Sequence, residues 1–271
     1  MFGDVLENTL FQSLVFIGAV FIVGFIISQI NKLFYRSIGG GMGMVYATGV
    51  IGTPIHELSH ALMCIIFRHR ILEIKLFQID PETGVLGYVN HSYNPKSIYQ
   101  RTGNFFIGTA PILFGTLFLL LMLRLLTPLS FAFVSQEIGA LSAMMEMGEG
   151  FNFGGVFAIF GKLLQGVFTV DFSFRTIIFI LICFCIALHM NLSGADIKGS
   201  LTGVPMVILV LFLMNFIVRL FGEGGYISFL SGMKFVMCYY ASFLLLSLVF
   251  SCLILALGLL IKVLKGVFGR R

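Results

Sequence analysis

Apolar runs with at most one Asp, Glu, Lys or Arg each recur along the chain at 9–30, 44–67, 102–125, 174–190, 203–221 and 235–262, each closed by charged or turn-forming residues. A helix of about 20 apolar residues crosses a hydrocarbon core of about 30 Å. The pattern therefore predicts an α-helical polytopic membrane protein with about six transmembrane helices in a single membrane domain, 1–271. Between the second and third runs the period changes. Leu72, Ile74 and Leu76 alternate with Glu73 and Lys75, and Asp80-Pro81-Glu82-Thr83-Gly84 is turn chemistry ahead of a second short run. That predicts a short β-hairpin over 71–90, directly after the second helix.

Two stretches resist the simple pattern. Region 127–172 carries three glutamates and many glycines and reads as a loop or interfacial segment. Within it Val156, Ile159, Phe160, Leu163, Leu164, Val167 and Phe168 recur at helical spacing, as in an amphipathic helix lying in the interface. Pro54 falls inside the second helix and predicts a kink or break there, because proline removes a backbone donor and disfavours helix before it.

Composition agrees with a membrane chain, since 58% of the 271 residues are hydrophobic and 11% charged. The formal net charge of +5 is spread over loops and calls for no nucleic-acid partner. Asp4 and Glu7 stand where a signal peptide would carry lysines or arginines, so the first apolar run is expected to be a retained helix. With the N-terminus inside, ten of the 17 lysines and arginines fall on the inner side (Arg68, Arg70, Lys75, Lys96, Arg101, Lys198, Lys262, Lys265, Arg270 and Arg271). Both termini are then expected in the cytosol, and the hairpin with them. Cys64, Cys183, Cys185, Cys238 and Cys252 all sit in apolar stretches and read as small buried hydrophobes rather than a disulfide framework.

The chemistry concentrates in His56-Glu57-Leu58-Ser59-His60 of the second helix. Residues at i and i+4 share a helix face, so His56 and His60 can hold one zinc ion while Glu57 reaches a water on it as general base. Such a pattern on a soluble surface helix is often accidental. Inside a membrane helix each ionisable group costs about 2.5–3.5 kcal/mol on insertion scales, which marks the motif as functional. A catalytic zinc usually takes a third protein ligand. Asp196, an acid just past an apolar helix in the loop 191–200, is the first candidate; His189, about two turns earlier, is the rival.

The stretch Gly52-Thr53-Pro54-Ile55-His56-Glu57-Leu58-Ser59-His60-Ala61-Leu62, followed by Phe67-Arg68-His69-Arg70-Ile71-Leu72-Glu73-Ile74-Lys75-Leu76-Phe77, resembles the site-2 protease family of intramembrane zinc metalloproteases. The segment at 108–115 is similar to that family's next core helix, where a Gly-Pro signature is common. The resemblance implies zinc as cofactor, His56, His60 and Asp196 as ligands and Glu57 as the base. The family often has Asn-Pro and then Leu-Asp-Gly near its third ligand, where this chain has Asn191-Leu192 and Ala195-Asp196-Ile197.

A protease of this kind hydrolyses peptide bonds in or near transmembrane segments. Its partners would be a transmembrane protein substrate, the lipid bilayer and a regulatory membrane partner. The expected setting is a cytoplasmic membrane of bacterial type. Ile74, Leu76 and Val85, along the hairpin edge, are expected to hold an unwound substrate segment by strand addition. Two other readings stay open: a non-catalytic zinc-binding relative that binds membrane segments, and a zinc transporter, for which no second metal-binding helix is visible.

Overall fold

A computed structural model describes residues 2–39, 42–80, 82–146 and 172–268, with isolated positions between 154 and 169. The residues that carry the amphipathic pattern at 156–168 lie outside the described ones. In chain order the elements are α1 (Phe2–Ser13), a π-helical turn (Leu14–Gly18), α2 (Ala19–Ile38), α3 (Met42–Ile66), β1 (Arg70–Lys75), β2 (Tyr88–Ser92), α4 (Ile98–Leu126), α5 (Pro128–Glu146), α6 (Phe174–Leu188), α7 (Gly194–Leu220) and α8 (Glu223–Phe268).

The molecule is an α-helical membrane protein with a small antiparallel hairpin. Five described helical segments, Phe2–Ile38, Met42–Ile66, Ile98–Leu126, Gly194–Leu220 and Glu223–Val267, are long and apolar enough to cross a membrane. The sixth expected span is the 15-residue α6. Large apolar side chains such as Phe25, Ile65 and Leu181 stay exposed, as lipid-facing positions require when no water lies outside them.

Several sequence boundaries move. Of the kink or break expected at Pro54, the break does not occur: helix α3 is continuous through it. Proline there removes a single backbone bond, and packing of α3 against α4 and α6 holds the helix on both sides of it. Part of region 127–172 is helical after all. Pro128 stands at the first helical position of α5, where its missing N–H has no intrahelical partner to lose. Phe131, Val134 and Ile138 of α5 then reach the core beside α4 and α8. Helix α7 begins at Gly194, so Asp196 lies in a first helical turn and not in a loop.

Two apolar cores organise the bundle. One joins Phe34, Leu123, Phe179, Ile186 and Phe250 from α2, α4, α6 and α8. The other joins Ile27, Phe105, Ile112, Val207 and Leu244 from α2, α4, α7 and α8. Between α6 and α7 the chain leaves helix at 189–193. Asn31, buried on α2, secures that break: its Nδ2 donates to the Ala187 carbonyl at 3.1 Å and to Asn191 Oδ1 at 2.7 Å. The terminal carbonyls of α6, which have no intrahelical donor, thus find one from another element.

The hairpin pairs Ile74 with Val89 and Ile71 with His91, with a bulge between Ile71 and Glu73. Its turn is tied by Asp80, whose carboxylate accepts from the Thr83 hydroxyl and from the backbone N–H groups of Glu82 and Thr83. These bonds to the charged form hold the Asp80 carboxyl below its ordinary range.

Candidate metal centre and cleft

The i, i+4 spacing on α3 brings the two imidazoles together as expected, with His56 Nε2 and His60 Nε2 3.1 Å apart. What directs them is not visible in the motif itself. His56 Nδ1 donates to the His189 carbonyl at 2.7 Å, and His60 Nδ1 donates to the Ile107 carbonyl at 2.7 Å. A carbonyl only accepts, so both protons sit on Nδ1 and both Nε2 atoms present lone pairs to the same point. Two such lone pairs at this separation repel unless a cation lies between them.

Asp196 arrives from the opposite side. Its Oδ1 is 3.3 Å from His60 Nε2 and its Oδ2 is 3.8 Å from His56 Nε2. The carboxylate is held by a capping box: Ser193 N–H donates to Asp196 Oδ2 at 2.8 Å, and Asp196 N–H donates to Ser193 Oγ at 3.1 Å. The capping role and the approach to the histidines are therefore compatible: Oδ1 faces His60, while Oδ2 accepts the cap bond and still lies 3.8 Å from His56. Helix α7 can lie this close to α4 because residue 108 is glycine; a Cβ there would fall on the Ser200 hydroxyl and the Asp196 carbonyl.

The donor set fits zinc. Tetrahedral ligands at about 2.0–2.2 Å from the ion lie about 3.3–3.5 Å from one another, close to the separations among His56, His60 and Asp196. Their outward nitrogens are already hydrogen-bonded, as ligating histidines require. The rival, His189, turns its ring elsewhere, with Nε2 3.0 Å from Thr48 Oγ1 and Nδ1 3.4 Å from Thr53 Oγ1. Its contribution to the triad is its backbone carbonyl.

The triad opens into a cleft of about 470 Å³ lined by Glu57, Asn104 and Gly108 on the helices and by Val85, Gly87, Tyr88, Val89 and His91 of the hairpin arm. Glu57 is buried and faces this space beside the ligands. The arm passes so near that a Cβ at Gly87 would come within 2.8 Å of Glu57 Cγ and of the Lys75 carbonyl. Of the three expected edge residues, Val85 lines the cleft. Ile74 and Leu76 are not among its lining residues and stay partly exposed. It is β2 that fronts the site, and among the described residues no strand pairs with its outer edge. A larger cavity of about 810 Å³, lined by Phe105, Phe106, Val207 and Tyr240 among others, is almost wholly apolar and, among the described residues, holds no metal-ligating cluster.

Sequence reasoning passed over Asn31, Thr48, Thr53, Asn104 and His91, whose roles depend on partners far along the chain. His91 is half-buried, and burial together with the neighbouring His69 and His60 pushes its imidazole down to about 4. Burial also lowers His69. Comparison of the chain with protein-family models, with curated proteins and with solved structures returns no match.

Proposed function

We propose that the chain is an intramembrane zinc metalloprotease, of the kind the His56–His60 stretch resembles, hydrolysing peptide bonds in or near transmembrane segments of membrane protein substrates. The observation that carries this reading is the meeting of two outward lone pairs, on His56 and His60, with the Asp196 carboxylate in a cleft that also holds Glu57.

Zinc, when bound by His56, His60 and Asp196, would polarise the scissile carbonyl and acidify water. The chain's own groups supply the rest. The carbonyls of His189 and Ile107 fix the two imidazoles in the ligating tautomer. Ser193 holds the Asp196 carboxylate by its second oxygen. Glu57 takes the proton of the attacking water and delivers it to the leaving amine nitrogen. A substrate helix hides its carbonyls in its own hydrogen bonds and must unwind before attack. The free outer edge of β2 offers backbone partners to the extended segment as it enters the cleft. The lysine and arginine distribution favours cytosolic termini, which puts hairpin and cleft on the cytosolic side.

The test compares purified wild type with Glu57→Gln. Both are expected to bind zinc, and only wild type to cleave a transmembrane substrate, with the loss about 10²–10⁴-fold. Equal cleavage would remove Glu57 from its role; cleavage by neither protein, with zinc bound by both, would favour a non-catalytic binder. Absence of zinc from both would overturn the reading.

A further inference from the structure

A second group of metal-ligating side chains lies one turn further along α3. Cys64, His69 and His91 bring a thiol sulfur and two ring nitrogens within 4.8 Å of one another. Cys64 and His69 are buried, and His91 is half-buried.

The local chain builds this arrangement deliberately. At the end of α3 the His69 N–H donates to the Cys64 carbonyl at 2.8 Å and the Arg68 N–H to the Ile65 carbonyl at 3.1 Å. That is the Schellman pattern, with Arg68 at the left-handed position (φ 56°), where glycine usually stands. Such a turn folds the residue after the helix back over the residue five before it, a pair that is ordinarily apolar. Here the pair is a histidine and a cysteine. The bulge between Ile71 and Glu73 lies beside the Ile71–His91 pair and re-aims that part of the hairpin.

The His69 imidazole is oriented for ligation. His69 Nε2 donates to the Gln100 carbonyl at 2.8 Å, so its Nδ1 is bare, and this Nδ1 is 3.1 Å from His91 Nδ1. Tyr93 stacks on the His69 ring and fixes its plane. One sulfur and two imidazole nitrogens form a borderline-soft donor set that suits zinc and not magnesium or calcium.

We propose that Cys64, His69 and His91 form a second zinc site that fastens β2 to the end of α3. The site shares no residue with the first. Cys64 follows His60 by about 6 Å of helical rise, beyond the roughly 3.5–4 Å spacing of paired catalytic metals. Its role is to hold β2, and with it Gly87 to Val89, against the cleft; three protein ligands leave one position for water.

The full chain, purified in detergent, decides the matter through zinc content and through the spectrum of its cobalt-substituted form. Wild type should carry two equivalents of zinc. His56→Ala should lose only the first equivalent, and Cys64→Ser and His91→Gln only the second. Cobalt-loaded wild type and His56→Ala should both show thiolate-to-cobalt charge-transfer absorption, and Cys64→Ser should not. Backbone amides of β2 should exchange faster in Cys64→Ser. One equivalent that is kept in Cys64→Ser and lost in His56→Ala overturns the second site and leaves the first standing. Thiolate-to-cobalt absorption with nothing bound at His56 and His60 does the reverse. Unchanged exchange in β2 refutes the fastening role.

Discussion

Asp196 Oδ1 stands 3.3 Å from His60 Nε2, although one residue lies in the first turn of α7 and the other in the C-terminal half of α3. The ligand geometry therefore depends on the contact between α7 and α4 as much as on the motif. Asp196→Ala is expected to lower zinc affinity by more than about 100-fold, beyond the roughly 10–100-fold range of groups that only support a ligand. His189→Ala should fall within that range, because the carbonyl that orients His56 survives the substitution. Zinc titration of both variants checks the order; the reverse order would make His189 the ligand.

Gly87→Ala places a methyl group against Glu57 Cγ and the Lys75 carbonyl. The Lys75 carbonyl is backbone and Glu57 a side chain facing the cleft, so the base should be displaced. Cleavage should fall at least about tenfold with zinc content unchanged, consistent with the sensitivity of proton transfer to position. A variant as active as wild type would show that the arm moves freely.

Consecutive strand residues direct their N–H groups to opposite edges. Of Tyr88→Pro and Val89→Pro, one therefore removes a donor from the free edge of β2 and the other a bond to β1. Both should impair cleavage while the zinc at His56 and His60 stays in place. Unimpaired cleavage in both would exclude the β2 edge as the substrate strand's partner.

Asn31→Leu leaves the Ala187 carbonyl without its side-chain donor and the Leu188 carbonyl with only the 3.4 Å bond from Asn191 Nδ2. Unsatisfied buried groups cost about 1–3 kcal/mol. Thermal unfolding in detergent should shift downward, and zinc affinity should weaken with it, since the displaced segment carries the carbonyl that orients His56. A more stable variant would mean that apolar packing outweighs these bonds.

The hairpin turn carries its own pH dependence. The Asp80 carboxyl is held below its ordinary value by bonds from Thr83 and Glu82, so the turn is fully tied above the unfolded-chain value of about 3.9. The tie is lost as pH falls through the lower folded value. Amide exchange at Thr83 should quicken over that window in wild type. Asp80→Asn should show no such acid transition, and a transition that persists would assign it to another group.

The sequence made legible whatever was local. Helical runs, the hairpin and the His56–His60 pair each follow from spacing along one element, and Asp196 stood out as an acid beside an apolar helix. Pro54 misled because packing across α3 outweighs one missing backbone bond. Helix α5 was diluted by Ser130, Ser135, Gln136 and Glu137, which hid its apolar stripe. The groups that orient the ligands were out of reach for a different reason. Asn31 meets Asn191, and Thr48 meets His189, only because whole helices pack, and no local period encodes that.

Helix α6 ends after 15 residues, a rise of about 22 Å against a hydrocarbon core of roughly 30 Å. Its end carries the His189 carbonyl, so the proposed hydrolytic centre would sit at a set level beneath one face of the bilayer. A protease built on that proposal would select a peptide bond by depth, as a gauge does. Lengthening a substrate's apolar segment on the near side should then move the cut along its sequence and leave the level of the cut unchanged.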